Sequence, residues 1–126
     1  MLAASWLTQR GQFRAQALLH EAVRRETLYA EFIIEASKRL TDAWTRQAES
    51  PEVIAGLYSA LDRVRLTSST EVIRVAEQVV RHVIDAYADA NKTFDDVREH
   101  LRSDDWGDPL RDFAEACRTE LRALRV

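Results

Sequence analysis

An all-α fold, an antiparallel bundle of four to five helices whose N-terminal member is extended, is expected of this 126-residue chain. Two prolines and three glycines are too few for the turns of a β-rich domain, and good helix formers such as Ala, Leu, Glu and Arg fill most of the rest. Apolar residues recur at three, four and seven positions, the period of a helix with one buried face. The stretch before Ser50 holds no proline and one glycine, Gly11, so it reads as one helix about twice as long as any later one. At about 1.5 Å per residue, Ser5 to Glu49 spans roughly 65 Å, against roughly 33 Å for the next longest candidate, Thr70 to Asn91.

Helix one places Leu18, Ala22, Tyr29, Ile33, Ala36, Leu40 and Ala43 on one stripe, widened by Phe32 and Trp44. The stripe is richest from Leu28 to Trp44, whereas Gln9 to Gln16 offers only Phe13 and Ala15. The packed half is therefore the C-terminal one, and Leu2 to His20 overhangs the core. Ser50-Pro51 ends this helix and starts the next, with Ser50 as cap and Pro51 at the first helical position. Helix two runs from Pro51 to Arg65 with Ile54, Leu57, Tyr58, Leu61 and Val64 on one side. Ser68 and Glu71 have the spacing of a capping box opening helix three. That helix sets Val72, Ala76, Val79, Val83, Ala86 and Ala90 on a seam, flanked by Ile73, Val80, Ile84 and Tyr87, an arc wide enough to touch two neighbours. Phe94, Val97 and Leu101 support a short helix, and Ser103 to Asp108 reads as a loop. Asp108-Pro109 caps the last helix, where Leu110, Phe113, Cys117, Leu121 and Leu124 close the bundle.

The length fits a single helical domain over residues 1–126, with 1–20 as a projecting helix or membrane-proximal segment. Eighteen basic residues against 21 acidic ones give a formal net charge of −3, with no basic cluster of the kind nucleic acid requires. One cysteine, Cys117, excludes an internal disulfide and fits a reducing compartment, so the expected location is the cytoplasm or the cytoplasmic face of the inner membrane. No stretch approaches the roughly 20 apolar residues of a membrane span. Met1 to Leu7 is nonetheless almost wholly apolar and is followed by Arg10 and Arg14 before the first acid, Glu21. It can be read as the cytoplasmic end of a span or as the start of a frayed helix.

No residue pattern demands catalysis. Bundle di-iron sites use Glu-x-x-His, and here no glutamate precedes His20, His82 or His100 by three positions. Glu31 and Glu35 lie one turn apart and His82 and Asp85 lie three apart, without the further ligands a metal needs. Cys117 falls on a core-facing stripe, which opposes a reactive thiolate. The acids from Asp95 to Asp108 lack calcium-loop spacing. No catalytic, cofactor-binding or metal-binding residue is assigned. The alternative function is a small enzyme or ligand-binding bundle, with an anion site where Ser68, Ser69, Arg65 and Arg74 meet the start of helix three, or with Glu31, Glu35, Tyr58 and His82 converging in the core.

Three runs, Leu28-Tyr29-Ala30-Glu31-Phe32-Ile33, Arg65-Leu66-Thr67-Ser68-Ser69-Thr70-Glu71-Val72 and Phe113-Ala114-Glu115-Ala116-Cys117-Arg118-Thr119-Glu120-Leu121, together resemble a group of uncharacterised bacterial proteins. The resemblance covers Trp6 to Leu124. It implies hydrophobic N-terminal transmembrane spans followed by a cytosolic helical domain, and it carries no reaction, cofactor or functional residue. This chain departs from that pattern in lacking complete spans, so membrane attachment is expected through residues upstream of or near Met1. The exposed apolar residues Leu7, Phe13, Leu18 and Leu19 also predict a homo-oligomer formed through the N-terminal helix. The expected function is thus a non-enzymatic helical interaction or scaffold domain.

Overall fold

The computed structural model describes residues 2–45, 51–88, 99 and 108–124. Four long helices account for almost all of them: α1 (Leu2–Thr45), α2 (Ala55–Thr67), α3 (Thr70–Ala88) and α4 (Pro109–Leu124), with a 3-10 turn at Pro51–Ile54 before α2. Among the described residues there is no strand. The helices run up, down, up and down. Arg25 and Phe32 of α1 meet Glu120 and Phe113 of α4, so those two are antiparallel. Glu31 and Glu35 meet Arg63 and Gly56 of α2, which gives the same sense. Tyr29 reaches Ser68 just before α3, and Asp42 reaches Tyr87 near its end, so α1 and α3 are parallel. They meet across the middle of the bundle, with α2 and α4 to either side.

The core follows the helical period. Tyr29, Phe32, Ala36, Leu40 and Ala43 of α1 pack with Leu57, Leu61 and Val64 of α2 and with Phe113 and Cys117 of α4. The centre of this cluster is α3, which contributes Val72, Val75, Ala76, Val79, Val80, Val83 and Tyr87. Its many valines have low helix preference, so packing holds this helix more than propensity does. Phe113 sits between two aromatic rings of α1, 4.7 Å from Phe32 and 5.9 Å from Tyr29 in an edge-on arrangement.

The extended first helix is continuous through Gly11 and Gln16. Every side chain from Thr8 to His20 is exposed, and among the described side chains the first buried one is Ala22. Leu18, expected on the buried stripe, is corrected to an exposed position. The turn between α2 and α3 reaches α1 at Tyr29, about three turns below Leu18, so those elements end before they can cover it.

Local starts and stops differ from expectation at three places. Pro51 opens a 3-10 turn instead of α2 itself, which begins four residues later after Ile54 leaves helical geometry at φ −105°. Arg39 donates to the Val53 carbonyl at 3.3 Å and ties this turn to α1. Tyr58, expected beside Leu57, is exposed because α2 buries only the narrower face of Leu57, Leu61 and Val64. The N-cap of α3 also shifts by one residue, from Ser68 to Ser69, and the expected bond between Ser68 and Glu71 is replaced. Ser68 is extended and closes α2 through its N–H to the Val64 carbonyl, so Ser69 is the residue that caps α3. Asp108 caps α4 as expected, its carboxylate accepting the Arg111 N–H at 3.1 Å. Ser50, the proposed short helix around Phe94, the loop at Ser103 and the end of helix three at Asn91 lie outside the described residues.

Candidate functional site

Three features stand out from an otherwise filled bundle. They are a polar junction near one end, a groove on either side of it, and the projecting part of α1. The junction forms where α4 crosses the turn between α2 and α3. Ser69 Oγ accepts the Val72 N–H, the N-cap bond. The reciprocal bond of a capping box would come from a carboxylate three residues on, but that position is Val72. Glu120 of α4 supplies it instead. Its Oε2 accepts the Ser69 hydroxyl at 3.2 Å and the Ser69 N–H at 3.4 Å. Its Oε1 is paired with Arg25 and lies 3.0 Å from the Tyr29 hydroxyl, which in turn is 2.9 Å from Ser68 Oγ. Burial, reinforced by Glu120, pushes the Tyr29 hydroxyl up to about 12. Arg25 also donates to Glu21 at 2.8 Å, and Glu21, held first by Arg24 and then by Arg25, drops to about 2.

The residues of the expected anion site are accordingly engaged within the chain. Arg65 pairs with Asp62 and Glu77, and Arg74 pairs with Glu71. A carboxylate, Glu120, already occupies the start of α3. Sequence reasoning missed Glu120 because its partners lie 51 to 95 residues away, and no local pattern marks it. The four residues proposed to converge are dispersed. Glu31 pairs with Arg63, and Glu35 lies between Arg39 and the bare face of Gly56. Tyr58 faces outward, and His82 lines a separate hollow of about 300 Å³ with Trp44 and Asp108. Among the described residues, no group of three or more His, Cys, Asp or Glu could hold a metal ion. Burial, with a contribution from Glu120, pushes the Cys117 thiol up to about 12, so it stays protonated at neutral pH.

One groove, of about 460 Å³, lies between α1 and α2. Val23, Leu28 and Leu66 form its apolar wall, and His20, Arg24 and Arg63 its basic rim. The other, of about 720 Å³, lies between α3 and α4, with Glu71, Asp112, Glu115 and Glu120 around a floor of Val75 and Ala116. Above both projects the helical arm of residues 8–20, carrying exposed Phe13, Leu18 and Leu19. Phe13 is 70 % exposed and Leu66 80 %, whereas large apolar side chains usually find cover. No helix of the described residues is long and apolar enough to cross a membrane.

No family model, no curated protein and no solved structure matches this chain.

Proposed function

We propose that this chain is a non-enzymatic helical interaction module that associates with itself through the projecting part of α1. The observation that carries this reading is the unbroken helix over residues 8–20, exposed at every side chain and bearing Phe13, Leu18 and Leu19. Thirteen helical residues with every side chain exposed gain little from packing and are marginal in water. Burying apolar side chains against a second chain supplies the stabilisation that the arm lacks within one copy. The polar junction supports the same reading, since Glu120, Ser69 and Tyr29 are bonded to one another, and the buried thiol beside it is kept protonated.

Sedimentation equilibrium of the full chain is expected to show a mass that rises with concentration. Phe13→Glu is expected to lower that mass toward a single chain while the bundle below Ala22 stays folded, because the residue touches no core. A single-chain mass throughout the micromolar range overturns the proposal. A second reading, attachment of the same arm to a membrane, draws on the apolar run at Met1 to Leu7 followed by Arg10 and Arg14. Cosedimentation of the full chain with anionic vesicles tests it, and failure to pellet removes it.

A further inference from the structure

We propose that the arm of one copy seats in the α3/α4 groove of a second copy, each copy giving one arm and receiving the other. The inference rests on the self-association reading and names the surface that completes it. Charge chooses between the two grooves. The chain holds no acid before Glu21, so the arm's formal charges are Arg10 and Arg14 alone. Taking these two from the 18 basic residues leaves 16 against 21 acidic ones, so everything beyond the arm carries an excess of five negative charges. The α1/α2 groove is rimmed by His20, Arg24 and Arg63, with Glu21 and Glu31 balancing the two arginines, and its lining offers a basic helix no carboxylate. In the α3/α4 groove Glu71 is paired with Arg74 and Glu120 with Arg25, and Asp112 and Glu115 are the exposed carboxylates that attract a cation. Opposed potentials of this kind set which surfaces meet and in which register.

Shape and chain direction agree with charge. On the arm, Arg10, Phe13, Arg14 and Ala17 stand three and four residues apart and form one patch, an aromatic ring flanked by two cations. The groove offers the complement, with small residues Ala116 and Ala123 beside Val75 for the ring and carboxylates at the edges for the cations. The arm is roughly 20 Å long, and the stretch of α4 from Asp112 to Ala123 that lines the groove is roughly 17 Å long. Glu120 bonds Arg25, which places the mouth of the groove beside the base of the arm. When a second copy is turned end for end, its arm therefore runs down the groove of the first while the first arm runs down its own. This exchange closes on a two-fold axis and leaves no unfilled surface of the same kind.

Charge reversal tests the pairing in the full chain, with dissociation constants taken from sedimentation equilibrium. Arg14 and Glu115 are both exposed, so at a dilution where every variant is a single chain reversal is expected to leave helix content and the thermal midpoint unchanged. Arg14→Glu and Glu115→Arg are each expected to weaken association roughly tenfold. The two changes combined in one chain are expected to restore it, and an equal mixture of the two single variants is expected to form a mixed dimer tighter than either alone. Glu115→Gln keeps the side-chain size and is expected to weaken association by a smaller factor in the same direction. If the native chain is a monomer, the self-association reading itself falls. If the native chain associates and Phe13→Glu disrupts it, but Glu115→Arg and Glu115→Gln do not, the arm docks elsewhere and only the groove assignment is overturned.

Discussion

A carboxylate with one tenth of its side chain exposed needs donors for both oxygens, and Glu120 draws them from three residues on two other segments, Arg25 and Tyr29 of α1 and Ser69 of the α2/α3 turn. Removing it leaves Arg25 and the Tyr29 hydroxyl partly buried with fewer partners, and it strips α3 of half its cap. Glu120→Ala is therefore expected to cost about 2 kcal/mol of stability, read from the denaturant midpoint. A loss within experimental error would show that water replaces the carboxylate without penalty. Cys117, one turn away, gives a pH dependence whose sign is fixed. Its thiol rises from 9.0 to about 12 in the folded chain, chiefly through burial. The folded state thus favours the protonated form, and that contribution is present in full below about pH 9 and lost as pH climbs toward about 12. Between about pH 8 and about pH 10 the native chain is expected to lose about 1 kcal/mol, and Cys117→Ala is expected to flatten that slope. Cys117 was legible in the sequence because its stripe-mates Phe113 and Leu121 each sit four residues away along the same helix. Glu120 was not legible, since on that helix it reads as one more surface acid next to the stripe.

Periodicity placed the helices well, because each buries a face set by its own residues, and α3 begins at Thr70 as its apolar pattern requires. The ends were less legible because they depend on hydrogen bonds that several neighbouring residues can supply. Ser68 and Ser69 are chemically alike, and only tertiary structure separates them. Ser68 turns to Tyr29, and Ser69 faces both the Val72 N–H and Glu120. The difference is measurable. Ser69→Ala removes the cap and is expected to destabilise by about 1 kcal/mol, whereas Ser68→Ala loses one side-chain hydrogen bond from a tyrosine that still has Glu120 and is expected to cost about half as much. Equal losses in thermal denaturation would place the cap equally on both. The same dependence on distant partners explains the start of α2. Proline at 51 fits the first turn of either helix type, and the pull of Arg39 on the Val53 carbonyl is invisible in the sequence between them.

At the scale of the molecule, one helix has to satisfy two different environments. Below Ala22 α1 is a bundle element with Tyr29, Phe32 and Ala36 covered, and over residues 8–20 the same helix stands in water. That contrast was legible as a mismatch of lengths, because a 44-residue helix beside partners of 13 to 19 residues must outreach them. The surface that receives the arm was not legible, since it is assembled from α3 and α4 and exists only once they pack. A helix in two environments should have two stabilities. In a dilute monomer the arm is joined to a nucleated helix but gains nothing from packing, so its amides should open with little free energy, while those beyond Ala22 follow the unfolding of the body. Association changes only the first of these. Hydrogen exchange over residues 8–20 is expected to slow as protein concentration rises, with α4 amides near Glu115 slowing in step and those of α2 unchanged. Exchange in the arm that stays fast at every concentration would mean that no partner copy covers it, and slowing confined to the arm and α2 would move the contact to the groove beside Leu66.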